Sequence, residues 1–307
     1  MKRITALAVS ALLCSAAHAQ TIDDGIMMGK RLLCAGYMYT HDGWNEYWEG
    51  TLKRTNANLG TLTTEAHQIY AIYGVTNSLN VITSIPHVRT NASKGVLAGM
   101  RGFQDGTFAV KYKFFDTPLS ETGTLRTIAV VSGSVPLSEY TPDFLPMSIG
   151  TRSRRISARM TAHLRTNKGW FVNGTAAYTW RGDIALDRPY FYTDGHLTLS
   201  DQVPLPRVFD YSLSSGYIRG ELVLSVMFGE QRTQGGGDIR RNDMPFVSNR
   251  MNFSRVGAWA KVPLPGHDAL SIVGGYSYVL AGRNVGQSTT LTAGLMYLFS
   301  FRGNRNR

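Results

Sequence analysis

Charged and imidazole side chains recur in this sequence at alternate positions within otherwise apolar stretches. Arg155, Arg159, His163 and Arg165 do so between 154 and 166, Lys111 and Lys113 between 105 and 115, and Glu65 and His67 between 60 and 73. Arg126, Asp210, Arg255 and Lys261 follow the same rule elsewhere. Eight of these twelve are Lys or Arg and two are acidic, so a shared space around them is basic. Such a space raises the local concentration of anions and disfavours cations. That is binding and permeation chemistry. Bond-breaking chemistry has little to build on. No His-Glu-x-x-His, Gly-x-Ser-x-Gly, phosphate-binding loop or Cys-x-x-Cys pattern occurs. A hydroxyl nucleophile needs a base within reach and a group to orient that base. The nearest spacing of the two is His196-Leu197-Thr198, in a predicted loop. No catalytic residue, metal ligand or cofactor is expected.

Only a period of two puts successive side chains on opposite faces, so strands must carry these residues. Between 155 and 165, Ile156, Ala158, Met160, Ala162 and Leu164 oppose Arg155, Ser157, Arg159, Thr161, His163 and Arg165. Phe108, Val110, Tyr112 and Phe114 oppose Lys111 and Lys113 in the same way. Near the C-terminus Leu291, Ala293, Leu295, Tyr297, Phe299 and Phe301 alternate with Thr292, Gly294 and Met296. Twelve such segments can be read, at 31–41, 60–73, 79–90, 105–115, 123–135, 154–166, 170–181, 206–218, 221–231, 250–262, 269–280 and 288–301. Their connections alternate between short and long. This is the signature of an antiparallel up-and-down transmembrane β-barrel of about twelve strands, ten to fourteen being compatible. A two-sided soluble sheet alternates too. The number of segments, their aromatic ends and the N-terminus favour the barrel. A charged side chain facing lipid at mid-membrane costs about 2–4 kcal/mol. The apolar face is therefore taken as outward. The expected lumen lining is Glu65, His67, Lys111, Lys113, Arg126, Arg155, Arg159, His163 and Arg165.

The N-terminus carries Met1-Lys2-Arg3, then an apolar stretch to Cys14, then Ser15-Ala16-Ala17-His18-Ala19. That is the pattern of a secretory signal peptide over 1–19, leaving one barrel domain over 20–307. Export would remove Lys2 and Arg3, so 32 basic residues become 30 against 21 acidic, a net charge of +9. Cys34 would then have no partner cysteine in the chain. The 43% hydrophobic content excludes disorder. After residue 20 no apolar run reaches the roughly 18 residues of a spanning helix. The expected location is the outer membrane of a Gram-negative bacterium. Expected partners are outer-membrane lipid and lipopolysaccharide, the barrel-assembly machinery and a small solute, with the barrel a monomer. An exported barrel does not meet nucleic acid, despite its basic charge.

Several features read two ways. The basic lumen is either an open anion path or a space plugged by acidic loop residues such as Asp183, Asp187, Asp194, Asp201, Asp238 and Asp243. The loop aromatics Trp44, Trp48, Tyr190 and Tyr192 either form an entrance for aromatic ligands or pack as girdle and loop core. The 238–243 stretch either holds divalent cations at lipopolysaccharide or is a solvated loop. Asp23-Asp24 would meet the basic lumen if 20–30 formed a plug at the periplasmic mouth. Arg159→Glu should reverse ion preference in an open pore.

Residues 70–81, Tyr70-Ala71-Ile72-Tyr73-Gly74-Val75-Thr76-Asn77-Ser78-Leu79-Asn80-Val81, are followed by Ser84-Ile85-Pro86. Gly102-Phe103-Gln104-Asp105 and Lys111-Tyr112-Lys113-Phe114 come next. Together these resemble the hairpin and strand motifs of the meta-pathway phenol-degradation-like outer-membrane proteins, a family often called transporters. Trp48-Glu49-Gly50 and Ala281-Gly282-Arg283-Asn284-Val285-Gly286 are similar to stretches in some members. The resemblance is concentrated between 70 and 114. It implies a monomeric barrel related in style to channels for hydrophobic compounds, with aromatic compounds as cargo. Its motifs are structural and name no solute-binding residue. The chain departs from the usual barrel ending, because Arg302 to Arg307 follow the terminal aromatic Phe301.

Overall fold

The computed structural model describes residues 21–119, 122–240 and 246–301. The signal peptide expected over 1–19, the tail after Phe301 and Asp243 lie outside the described residues. Twelve long strands follow the sequence: β1 (Leu32–Trp44), β2 (Leu62–Gly74), β3 (Leu79–Ala92), β4 (Asp105–Leu119), β5 (Gly123–Pro136), β6 (Arg155–Thr166), β7 (Trp170–Arg181), β8 (Arg207–Arg219), β9 (Leu222–Gln234), β10 (Asn252–Leu264), β11 (His267–Arg283) and β12 (Thr289–Ser300). Each pairs antiparallel with the next, and β12 pairs with β1 from Leu32↔Ser300 to Gly43↔Thr289. The ring is closed, so none of the twelve long strands is left at a sheet edge. Every expected segment is a strand. The long connections also hold short pairings that alternation did not reveal: Glu46–Glu49 with Leu52–Thr55, Ile184–Ala185 with Gln202–Val203, and Phe191–Thr193 with His196–Thr198. Arg101–Phe103 adds onto β3.

Alternation sorts the side chains as the pleat requires. On β6, Ile156, Met160 and Leu164 are 61%, 47% and 41% exposed, while Thr161 and His163 on the other face are 1% and 2% exposed. The outside is thus apolar and the inside polar, the inverse of a soluble protein. Aromatic residues collect at both ends of the outer face. Trp170 meets Tyr217 and Tyr297 meets Phe299 at the end with short turns, while Tyr178 meets Trp180 at the other end. A register shift between Lys113 and Phe115 lets Phe114 and Phe115, adjacent in sequence, both face out.

One region breaks the polar-inside rule. Near the short-turn end the inner faces of β2, β3 and β5 carry Ile72, Ile82, Ile128 and Val130, all buried. They pack with Cys34, Val273 and Met296 around Met28, which is fully buried. The apolar core of the molecule therefore sits inside the barrel, and its centre comes from the segment before β1.

Candidate functional site

Residues 21–30 turn up into the lumen at the short-turn end. Asn80 projects from the inner face of β3 and is fully buried. It accepts the Met28 N–H at 2.8 Å and donates to the Met28 carbonyl at 3.0 Å. A buried backbone with no strand partner needs such a clamp. Asn77 accepts the Lys30 N–H at 2.9 Å. Further up, Arg126 Nη1 donates to the Gly25 carbonyl at 3.2 Å. Lys111 Nζ donates to Asp24 Oδ1 and to the Thr21 carbonyl, each at 2.7 Å. Arg159 forms an ion pair with Asp23, and Thr175 donates to the Asp23 carbonyl at 3.3 Å. Gly25 lies flat against His163: a Cβ there would stand 2.2 Å from the imidazole Cγ. His163 Nδ1 lies 2.5 Å from Asn173 Oδ1, a contact that puts the ring hydrogen on Nδ1. Ile26 packs with Phe171, Ile218 and Val223 on the opposite wall.

Most basic residues read from the sequence do line the lumen, and nearly all are matched by a carboxylate. Lys113 and Arg126 share Asp116 at 2.6 and 3.2 Å. Arg155 meets the buried Asp105 at 2.8 Å, and Asp105 also accepts the Tyr140 hydroxyl at 2.6 Å. Lys261 pairs with Glu221. Arg165 reaches the Ile218 carbonyl at 3.5 Å. The acids that neutralise the lumen come from the N-terminal segment, the strands and their turns. Of the loop acids named as possible plugs, Asp194 binds Arg240 and Asp238 binds Arg283 instead.

Above the segment a cavity of about 550 Å³ remains, lined by Asp23, Arg159, Asp210, Arg255, Phe253, Trp259 and several Ser and Thr hydroxyls. Asp210 interacts electrostatically with Arg159, Arg181 and Arg255. Arg181 and Arg255 make no ion pair among the described residues. Arg181 escaped the sequence reading because it ends its segment, yet it shares the inward parity of Asn173 and Thr175.

Glu65 and His67 do not line the lumen. They share a face with Ile69 and Tyr73, 66% and 37% exposed, opposite the buried Tyr70 and Ile72. Tyr39 donates to Glu65 Oε1 at 3.2 Å, and the Tyr37 hydroxyl shares a 2.6 Å hydrogen bond with His67 Nδ1, both on the outer wall. The apolar-outward rule fails on β2 because the core around Met28 makes the inner face apolar as well.

The loop aromatics divide. Trp48 lies over Gly282 and Trp44 over Gly286; a Cβ at either glycine would come within 2.6 Å of the ring above it. Both tryptophans are thus consumed in packing, which explains the spacing of the two glycines around Arg283-Asn284. Tyr190 and Tyr192 stay exposed beside a small cap core of Ile184, Phe191, Val203, Leu205 and Val247. His196 faces the Asp194 carbonyl at 2.9 Å.

Asn284, in the short connection between β11 and β12, ties two long loops together. Its Oδ1 accepts from the Gly50 N–H at 2.7 Å and the Ile239 N–H at 3.1 Å. Its Nδ2 donates to Asp238 at 2.9 Å and to the Arg250 carbonyl at 2.7 Å. Hydrogen bonds from Arg283 hold the Asp238 carboxyl down at about 2, against an ordinary 3.8. A folded value below the unfolded one stabilises above the unfolded value, and that contribution disappears as pH falls from 3.8 through about 2. Asp238 is about a third exposed, so solvent screening trims the effect. Hydrogen exchange over 235–240 and 246–251, corrected for its intrinsic pH dependence, should rise across that window. Asp238→Asn should already exchange fast at neutral pH, and a wild-type profile in the variant would refute the assignment.

No family model matches the sequence, and comparison with curated proteins finds no match either. Solved structures do match. An outer membrane channel from Pseudomonas putida F1 overlays with a TM-score of 0.71 at 14% identity, over 90% of this chain and 98% of that one. The NanC porin and the β domain of the Bordetella autotransporter BrkA give TM-scores of 0.45 and 0.46, each at 10% identity, over 85% and 87% of this chain and 98% and 99% of theirs. The first likeness and the inside-out polarity agree on the fold class: a closed, twelve-stranded transmembrane β-barrel.

Proposed function

We propose that the chain is an outer-membrane channel of a Gram-negative bacterium that passes small anionic solutes passively and is stoppered on its periplasmic side by residues 21–30. The cavity above the segment carries the reading, because Arg159 and Arg255 line it with one carboxylate, Asp210, against a wall of hydroxyls, and Arg181 adds its charge to the field on Asp210. A space of that charge enriches anions. Phe253 and Trp259 on the same wall, with the resemblance of residues 70–114 to the phenol-degradation-like family, favour aromatic acids among the cargo. Short turns face the periplasm in such barrels, which puts the segment's entry on that side.

The test is single-channel conductance of the refolded barrel in a planar bilayer under a salt gradient. Arg159 is committed to Asp23, so Arg255→Glu is the cleaner reversal. It should shift the reversal potential toward cation preference. Unchanged selectivity would remove Arg255 from the path. The apolar packing of Met28 and Ile26 favours a second reading, a barrel closed for structural or interaction purposes. Silence from both the full chain and a chain without the segment would establish that reading instead.

A further inference from the structure

Cross-strand register builds a polar ladder on the outer wall, which is mostly apolar elsewhere. One row runs His41↔Glu65↔Arg89↔Arg101 across β1, β2, β3 and the short Arg101–Phe103 strand. The row beneath it, toward the short-turn end, runs Tyr39↔His67↔His87↔Phe103. Below both lie Tyr37, Ile69 and Ile85, the two isoleucines being 66% and 47% exposed. The lower polar groups are satisfied within the wall, since Tyr39 donates to Glu65 and Tyr37 bonds His67. The arginines are not. Arg89 and Arg101 sit opposite each other, both exposed, and neither guanidinium makes a hydrogen bond or ion pair among the described residues. Like charges placed opposite one another destabilise a ladder. The contrast is Arg232 on the outer face of β9, which forks onto Glu230 at 2.9 and 2.6 Å and is internally neutralised.

Height selects the occupant. Arg89 lies eight residues above Val81, which pairs with the outward Tyr73 of the lower aromatic end. For tilted strands that is about 20 Å up an apolar belt about 25 Å tall. From there two long side chains reach the headgroup layer of the long-loop leaflet with their stems in the apolar zone. Guanidinium groups bind phosphate as a planar fork. We propose that Arg89 and Arg101 form a docking site for a phosphorylated glycolipid headgroup of the outer leaflet. This rests on the outer-membrane reading.

The test uses the full barrel in non-ionic detergent, titrated with diphosphoryl lipid A and followed by native mass spectrometry. Wild type should retain one lipid. Arg89→Gln with Arg101→Gln should weaken retention by about tenfold or more, the scale of losing charge-assisted hydrogen bonds. Arg232→Gln should bind as wild type does. Equal binding by the double variant, equal binding of dephosphorylated lipid A, or full displacement by inorganic phosphate would each overturn the proposal, the last by showing a free-anion site. A heat-modifiable gel shift shows that each variant is folded. A barrel that folds but does not insert into bilayers overturns the outer-membrane reading itself. One that inserts and shows no preference for lipid A overturns only the docking site.

Discussion

A barrel lacking residues 21–29 should conduct in steps several-fold larger than the full chain and should prefer anions more strongly. The segment occupies the short-turn half of the lumen, and its removal uncovers Lys111, Arg126 and Arg159 together. Three cationic side chains would then face water without the two carboxylates, Asp23 and Asp24, that now answer two of them. Step size and selectivity separate the contributions. Asp23→Asn with Asp24→Asn keeps Ile26 and Met28 as anchors, so selectivity should move while step size changes little. Gly25→Leu clashes with the His163 ring and should push the segment aside, raising the step size while Asp23 and Asp24 stay tethered to the chain near the lumen. Stability should fall in the deletion, since burying Ile26 and Met28 contributes about 1.5–3 kcal/mol each. Equal steps and equal selectivity in all these proteins would mean that the segment stands outside the conducting path.

The strands were readable because each answers to one local rule. On β6 and β12 the apolar face meets lipid and the other does not, so alternation alone places Arg159 inside and Leu295 outside. β2 obeys the same geometry with a different environment. Its inner face meets Met28, a residue 44 positions earlier than Ile72. Both faces are then apolar over Ile69 to Tyr73, and parity loses its meaning for Glu65 and His67. The role of Asp23 and Asp24 was legible only as a charge opposite a basic lumen. Their partners depend on how far the segment climbs, which the Asn80 clamp on Met28 sets. Trp44 and Trp48 were ambiguous for a related reason. A tryptophan in a loop reads alike as a ligand platform or a packing element, and the glycines that accept it, Gly282 and Gly286, lie far along the chain. Short loop pairings such as Phe191–Thr193 with His196–Thr198 leave too few residues to show a period.

Asp24→Asn should destabilise the barrel by about 3 kcal/mol or more, and Lys111→Met should cost clearly less. The pair is asymmetric. The Lys111 side chain is 0% exposed, whereas Asp24 is 19% exposed. Asp24 also accepts from the Ile26 N–H at 2.9 Å and from the Thr21 hydroxyl at 3.1 Å, so it keeps partners when the lysine is gone. In Asp24→Asn, Lys111 would keep only neutral acceptors, the amide oxygen and the Thr21 carbonyl, and no counter-charge. Removing one member of a buried pair costs about 3–5 kcal/mol because the remaining charge is stranded, while replacing both by apolar or neutral groups of similar volume is often neutral. Lys111→Met with Asp24→Asn should therefore recover most of what Asp24→Asn loses. Urea unfolding of the barrel in lipid vesicles reads the three variants on one scale. A loss in Asp24→Asn that the second substitution does not restore would mean that Asp24 acts through its own turn, with the lysine a bystander. Restoration ties the segment to the lumen wall by this pair. The fully buried lysine on β4 is then explained as the counter-charge of a segment that the barrel holds inside itself.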